Sequence, residues 1–195
     1  GDHTLAQALD AVLQHPTWSP DGGWIAFSAW TDEEGGHLWK VPAGGGDAER
    51  LTSTPALYSY PKWSPDGSRI AFGNENDLWV MAPDGSRLTR LTDVGTERIG
   101  TPSWSRDGSQ IAVVIDLVLY VVDATGGGVI AISSSHGGWF SDSSPATWSK
   151  DGTELAAVIE QYGAGPRDVY VVAADGSSQT NITNDGHSEY PAWSP

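Results

Sequence analysis

Short apolar runs alternate with polar turns along almost the whole chain. One series reads Ile25-Ala26-Phe27, Ile70-Ala71-Phe72, Ile111-Ala112-Val113 and Leu155-Ala156-Ala157. A second reads Leu38-Trp39-Lys40-Val41, Leu78-Trp79-Val80-Met81, Leu119-Tyr120-Val121-Val122 and Val169-Tyr170-Val171-Val172. Runs this short, rich in β-branched and aromatic residues and bounded by Gly, Pro and Asp, predict strands. Within the first three runs of this series the large residues fall on one face and the alanine on the other, because successive side chains of a strand point to opposite faces. Only at the start does spacing suit a helix: Leu5, Leu9 and Val12 or Leu13 share one helical face, which predicts a tail or short helix over 1–14.

Each first-series run is preceded by the same phrase. It reads Pro16-Thr17-Trp18-Ser19-Pro20-Asp21-Gly22, Pro61-Lys62-Trp63-Ser64-Pro65-Asp66-Gly67, Pro102-Ser103-Trp104-Ser105-Arg106-Asp107-Gly108 and Ala146-Thr147-Trp148-Ser149-Lys150-Asp151-Gly152. A fifth, shortened copy is Pro191-Ala192-Trp193-Ser194-Pro195. The tryptophans stand 45, 41, 44 and 45 residues apart. Pro, Asp and Gly in that order make a tight turn, and a period near 40–45 residues with about four strands per unit is that of a propeller blade. The expected fold is all-β: a propeller of four-stranded antiparallel blades over 15–54, 55–94, 95–134 and 135–184, with a partial unit at 185–195. Four complete repeats plus one extra inner strand are expected to be a segment of a larger propeller, with a compact four-bladed ring as the alternative. The recurrent proline, which lacks an N–H, belongs on an edge strand and so on the strand lining the central channel. In the fourth unit it has slipped to Pro145, which predicts a local irregularity there.

The composite phrase, followed by Ile-Ala-Phe, Leu-Trp, Asp-Gly-Ser and Leu-Thr, resembles the TolB-type, WD-repeat-like propeller repeat over residues 15–195. Such repeats occur in TolB itself, in propellers attached to prolyl-oligopeptidase-like peptidases, and beside amidohydrolases. The resemblance implies a bacterial protein in a periplasmic or extracellular setting, and it does not choose among those hosts.

The formal net charge is −15, with a pI near 4.4. That argues against nucleic acid and anionic membranes as partners, and is compatible with basic partners or divalent cations. No cysteine is present, so disulfides and thiolate metal sites are excluded. No apolar run reaches the length of a membrane span. There is no Gly-x-Ser-x-Gly nucleophile elbow, no His-Glu-x-x-His and no phosphate loop, so the chain holds no recognisable catalytic constellation.

Function is expected on the face opposite the Asp-Gly turns, where segments 28–37, 73–77, 159–168, 53–60, 93–101, 133–145 and 184–190 read as loops. Aromatics gather in or beside them: Trp30, Tyr58, Tyr60, Trp139, Phe140, Tyr162 and Tyr190 are candidate partner-binding residues. Asp32, Glu33 and Glu34, with Glu75 and Asp77 at the equivalent place one blade on, are candidate oxygen ligands for Ca2+. Asp77 and Asp168 also occupy equivalent positions ahead of the third strand, which suits a capping role. The first expectation is a non-enzymatic scaffold for a protein or peptide. The alternatives are an accessory propeller that gates a hydrolase domain outside this chain, and a structural subunit that self-assembles head to tail through unclosed blade edges.

Overall fold

A computed structural model describes residues 11–32, 35–94, 98–135, 137–161 and 167–193. Among these the fold is all-β, with no helix. Four antiparallel sheets follow one another along the chain. The first joins β1 (Val12–Trp18), β2 (Trp24–Thr31), β3 (Gly35–Pro42) and β4 (Glu49–Arg50) in sequence order. The second repeats this with β5 (Tyr58–Trp63), β6 (Ile70–Asn74), β7 (Asp77–Met81) and β8 (Thr89–Arg90). The third has β9 (Ser103–Trp104), β10 (Gln110–Ile115), β11 (Val118–Asp123) and β12 (Val129–Ile132). In the fourth the first strand is split into β13 (Gly138–Phe140) and β14 (Thr147–Trp148). Both pieces pair with β15 (Glu154–Gln161), which is followed by β16 (Arg167–Ala173) and β17 (Gln179–Asn181). The split falls at Pro145, where the proline has left its repeat position.

Two expectations change at the start and on the mouth side. The strand β1 already runs through Val12 and Leu13, so these belong to the first sheet; the rest of the short helix expected there lies outside the described residues apart from Ala11. Segments 28–37 and 73–77 are mostly strand. β2 and β3 pair as far as Thr31 opposite Gly35, and only Glu75 and Asn76 separate β6 from β7. The hairpins therefore project as stiff ribbons, and the longer connections are those between sheets.

The repeated phrase builds a closed polar cycle. Ser64 Oγ donates to Asp66 Oδ1 at 2.6 Å and accepts the Arg69 N–H at 2.9 Å; Asp66 Oδ1 in turn accepts the Ser68 N–H at 3.0 Å. The same cycle stands at Ser19/Asp21, Ser105/Asp107 and Ser149/Asp151. Gly67 closes the turn at φ +72°, a conformation with a penalty for any residue bearing a Cβ. A second recurring element fastens the outer strands. The hydroxyls of Thr52, Thr92 and Thr183 accept the N–H groups of Leu38, Leu78 and Val169 at 2.9–3.1 Å. Asp77 and Asp168 sit behind two of these threonines, accepting their hydroxyls at 2.7 and 3.1 Å.

Sheets stack bulky face on shallow face. Ile70, Phe72 and Met81 of the second sheet pack on Ala26, Leu38 and Leu51 of the first. Ile111, Val113 and Ile115 do the same on Ala71, Leu78 and Val80. Leu155, Ala157 and Ile159 follow on Ala112, Leu119 and Val121. An indole ladder accompanies the stack. Trp104 Nε1 donates to the Lys62 carbonyl at 3.0 Å, Trp148 to Ser103 at 2.9 Å and Trp193 to Thr147 at 2.8 Å. In each case the acceptor is the residue just before the previous tryptophan. Trp63 should reach Thr17 by the same rule, yet its buried Nε1 has no partner among the described residues. The seam between the first two sheets is thus the one where the ladder lapses.

A cleft at the seam of the first two sheets

The channel-lining strands of these two sheets carry a shared irregularity. β1 pairs regularly with β2 up to Gln14 and again from Thr17, and between them two residues oppose one. β5 does the same between Ser59 and Lys62. Each bulge holds a ring-bearing residue directly before proline, in left-handed backbone: His15 at φ 54° and Tyr60 at φ 51°. A bulge re-aims its side chain, and such backbone in a non-glycine residue stores strain that marks functional positions more often than others. The two rings meet, with centroids 4.0 Å apart and planes tilted by 44°. His15 Nδ1 lies 3.2 Å from Ser28 Oγ, whose hydroxyl donates to the Gln14 carbonyl at 3.1 Å. Burial, and then the nearby Lys62 charge, lower the imidazole pKa below its ordinary value, so the ring is neutral at pH 7.

These rings wall a cleft of about 460 Å3 at the mouth of the channel. Trp30, Tyr58, Glu75, Arg98 and Asp142 complete its outline. Arg98 is held by Asp142 at 3.4 Å, and its N–H donates to Asp116 Oδ1 at 2.8 Å. A neighbouring lobe of about 420 Å3 shares Trp30, Gly36, Leu57 and Glu75 with it. Further round the mouth, Arg167 is clamped between Glu160 and Glu189, and Glu160 also accepts the Ser141 hydroxyl at 2.7 Å. Both arginines of this rim are therefore neutralised by carboxylates.

The structure separates the aromatic candidates. Trp30 and Tyr60 line the cleft, the first 46% exposed and the second half-buried. Tyr58 is buried: its ring meets Phe72 edge-on at 5.8 Å and its hydroxyl donates to the Thr54 carbonyl at 3.0 Å. Phe140 is a core side chain, fully buried between the third and fourth sheets, and so is out of a partner's reach. Trp139, half-buried, stands opposite Glu160 on β13, away from the cleft. Tyr190 is exposed and, like His15 and Tyr60, precedes a proline at φ 53°, with its N–H donated to Ser144 Oγ at 3.1 Å. Tyr162 lies outside the described residues.

The acidic candidates do not converge. Glu33 and Glu34 lie outside the described residues, while Asp32 and Glu75 are exposed. Asp77 is buried and accepts the Thr92 hydroxyl, the Val94 N–H and Arg90, which is the capping role and leaves it engaged within the protein. Among the described residues no three His, Asp or Glu side chains gather as a metal site would require. His15 was missing from the candidates. The signal that finds it is positional: His15, Tyr60 and Tyr190 each stand three residues before a repeat tryptophan and one before a proline.

Comparison with known proteins agrees with the architecture. Residues 28–103 match the family model of the dipeptidyl peptidase IV (DPP IV) N-terminal region. Among solved structures, a putative TolB from Agrobacterium tumefaciens is 22% identical with a TM-score of 0.67, over 87% of this chain and 65% of that one. TolB from Acinetobacter baumannii is 21% identical with the same TM-score, over 89% of this chain and 44% of that one. A puromycin hydrolase is 19% identical with a TM-score of 0.65, over 90% and 30%. The chain thus spans less than two thirds of each of these proteins, and at such identities the likeness is one of fold. No curated protein matches the chain by sequence.

Proposed function

We propose that this propeller is a non-enzymatic binding module that holds an extended polypeptide at the mouth-side cleft between its first two sheets. The observation that carries the reading is the pair of bulges: two strained positions in successive repeats aim His15 and Tyr60 at each other and into one concave space. The left-handed backbone is not a requirement of the repeat: in the third sheet one extra residue also lies between Ile99, opposite Ile115, and Ser103, opposite Ala112, yet Thr101, which precedes a proline there, has no left-handed backbone. The TolB-type character of the repeats supports an exported setting for the module.

Capture of immobilised nonapeptide pools with randomised sequence tests this. Wild-type chain should bind a fraction of the pool, and Tyr60→Ala should lose most of that binding while costing no more than about 1.5 kcal/mol of stability. No pool member retained by the wild-type chain would end the reading.

A second reading is favoured by the match to the DPP IV N-terminal region and by the likeness to a puromycin hydrolase. In it the propeller serves as the accessory, access-limiting part of a hydrolase whose nucleophile and base reside in another domain. The natural reading frame decides it: a neighbouring domain bearing a nucleophile with its base supports this role, and a frame without one removes it.

A further inference from the structure

The outer lobe of the cleft is lined by three large apolar side chains. Trp30, Pro55 and Leu57 stand there beside Gly35 and Gly36. A Cβ on Gly36 would lie 2.3 Å from the Ala56 carbonyl oxygen and 3.0 Å from the Trp30 ring, so the backbones close up there only because no side chain intervenes. Val12, opposite Trp30 across β1 and β2, continues the strip, and Val12, Trp30 and Leu57 are 62%, 46% and 65% exposed. Large side chains left this open beside a concavity mark an interaction surface more often than a bare exterior.

One carboxylate stands at the edge of the strip. Glu75 occupies the two-residue turn between β6 and β7 in left-handed backbone, φ 56°. Its N–H donates to the Leu57 carbonyl at 3.2 Å, which ties the acid to the apolar wall. Arg98 is the one Lys or Arg lining either lobe among the described residues, and Asp142 holds it. The Glu75 carboxylate has no ion-pair or hydrogen-bond partner among the described residues.

We infer that the outer lobe takes an arginine side chain of the bound polypeptide, its stem laid along Trp30 and Leu57 and its guanidinium at Glu75. This rests on the peptide-capture reading and adds the chemistry of the ligand. A guanidinium is weakly hydrated and planar, so it stacks on an indole face while pairing with a carboxylate, and its three methylenes cover apolar surface. The formal charge of −15 attracts such a segment from a distance and repels an acidic one.

The experiment uses nonapeptide pools with randomised flanks and a fixed centre of Arg, Glu or norleucine, with binding to the chain followed at about 0.1 M salt, where diffuse attraction is screened over about 10 Å. The Arg pool should bind about tenfold more tightly than the norleucine pool, and the Glu pool should bind weakest. Glu75→Gln should remove most of the Arg preference and leave norleucine binding as it was. Trp30→Ala should weaken both. Asp84→Asn, at the far end of β7, is the control for overall charge and should change nothing. Equal binding of the three pools, an Arg preference that survives Glu75→Gln, or one that Asp84→Asn also removes overturns the arginine site while leaving peptide capture standing. Failure of all three pools to bind overturns both. Glu75 and Trp30 are exposed enough for the variants to fold, which a melting curve checks.

Discussion

Serine and aspartate, placed two residues apart, account for much of the local order of each repeat. Ser64 is fully buried, and its hydroxyl is the acceptor for the Arg69 N–H. Ser64→Ala should leave that N–H unpaired and destabilise the chain by about 1–3 kcal/mol in urea unfolding; Ser68→Ala, at an exposed site in the same turn, should cost far less. The aspartates also make stability depend on acid. Hydrogen bonds led by those from Ser19, Ser64 and Ser149 hold the carboxyls of Asp21, Asp66 and Asp151 below their ordinary values, and for Asp107 the Ser109 N–H leads, ahead of the Ser105 hydroxyl. For Asp66 the value falls to about 2. A carboxyl whose folded pKa is depressed stabilises the fold fully above its unfolded value, near 4, and loses that contribution as pH falls through the folded value. The melting temperature should therefore stay level with respect to these groups above about pH 5 and drop between about pH 4 and 2. In Asp66→Asn the drop should be shallower, since one of the groups that releases it is gone.

Strands were legible where the repeat is strict and blurred where it is not. The tryptophan spacing located the repeat in all four sheets and large-small-large runs marked the second strand of the first three, because a face that must stack on a copy of itself leaves a period in the sequence. Residues 133–145 read as a loop in the sequence, since Gly and Ser are frequent among them. The structure makes Gly138–Phe140 a strand paired with β15, and burial of Phe140 against its neighbours decides that pairing more than local composition does. The consequence separates two aromatics once grouped together. Phe140→Ala should cost about 3–5 kcal/mol, as emptying a core site does. Tyr60→Ala gives up one ring contact at a half-open site and should cost no more than about 1.5 kcal/mol. Parallel thermal melts test the contrast, and equal losses would place Tyr60 in the core as well. The cleft is only half legible in residue types: Trp30, Tyr60 and Glu75 can be named from them, while His15 is found only by its position before a proline, because a bulge changes where a residue points without changing what the residue is.

At the level of the whole array, the sheets are joined by contacts that repeat as regularly as the strands. The indole ladder makes a simple forecast. Trp104→Phe keeps the ring and removes the donor, leaving the Lys62 carbonyl without it, and should destabilise by about 1 kcal/mol. Trp18 is 60% exposed at the outer face of the first sheet, so Trp18→Phe should leave the unfolding midpoint nearly unchanged. An equal loss in both variants would show that a further partner sits on Trp18 in solution. The ladder's acceptor is always main chain, supplied by lysine, serine or threonine alike. A joint that asks only for a carbonyl imposes no matching requirement on its neighbour's side chains. What must still match when a repeat is duplicated, lost or exchanged is the stacked apolar face, bulky on shallow, and the residues of the mouth lie outside both constraints.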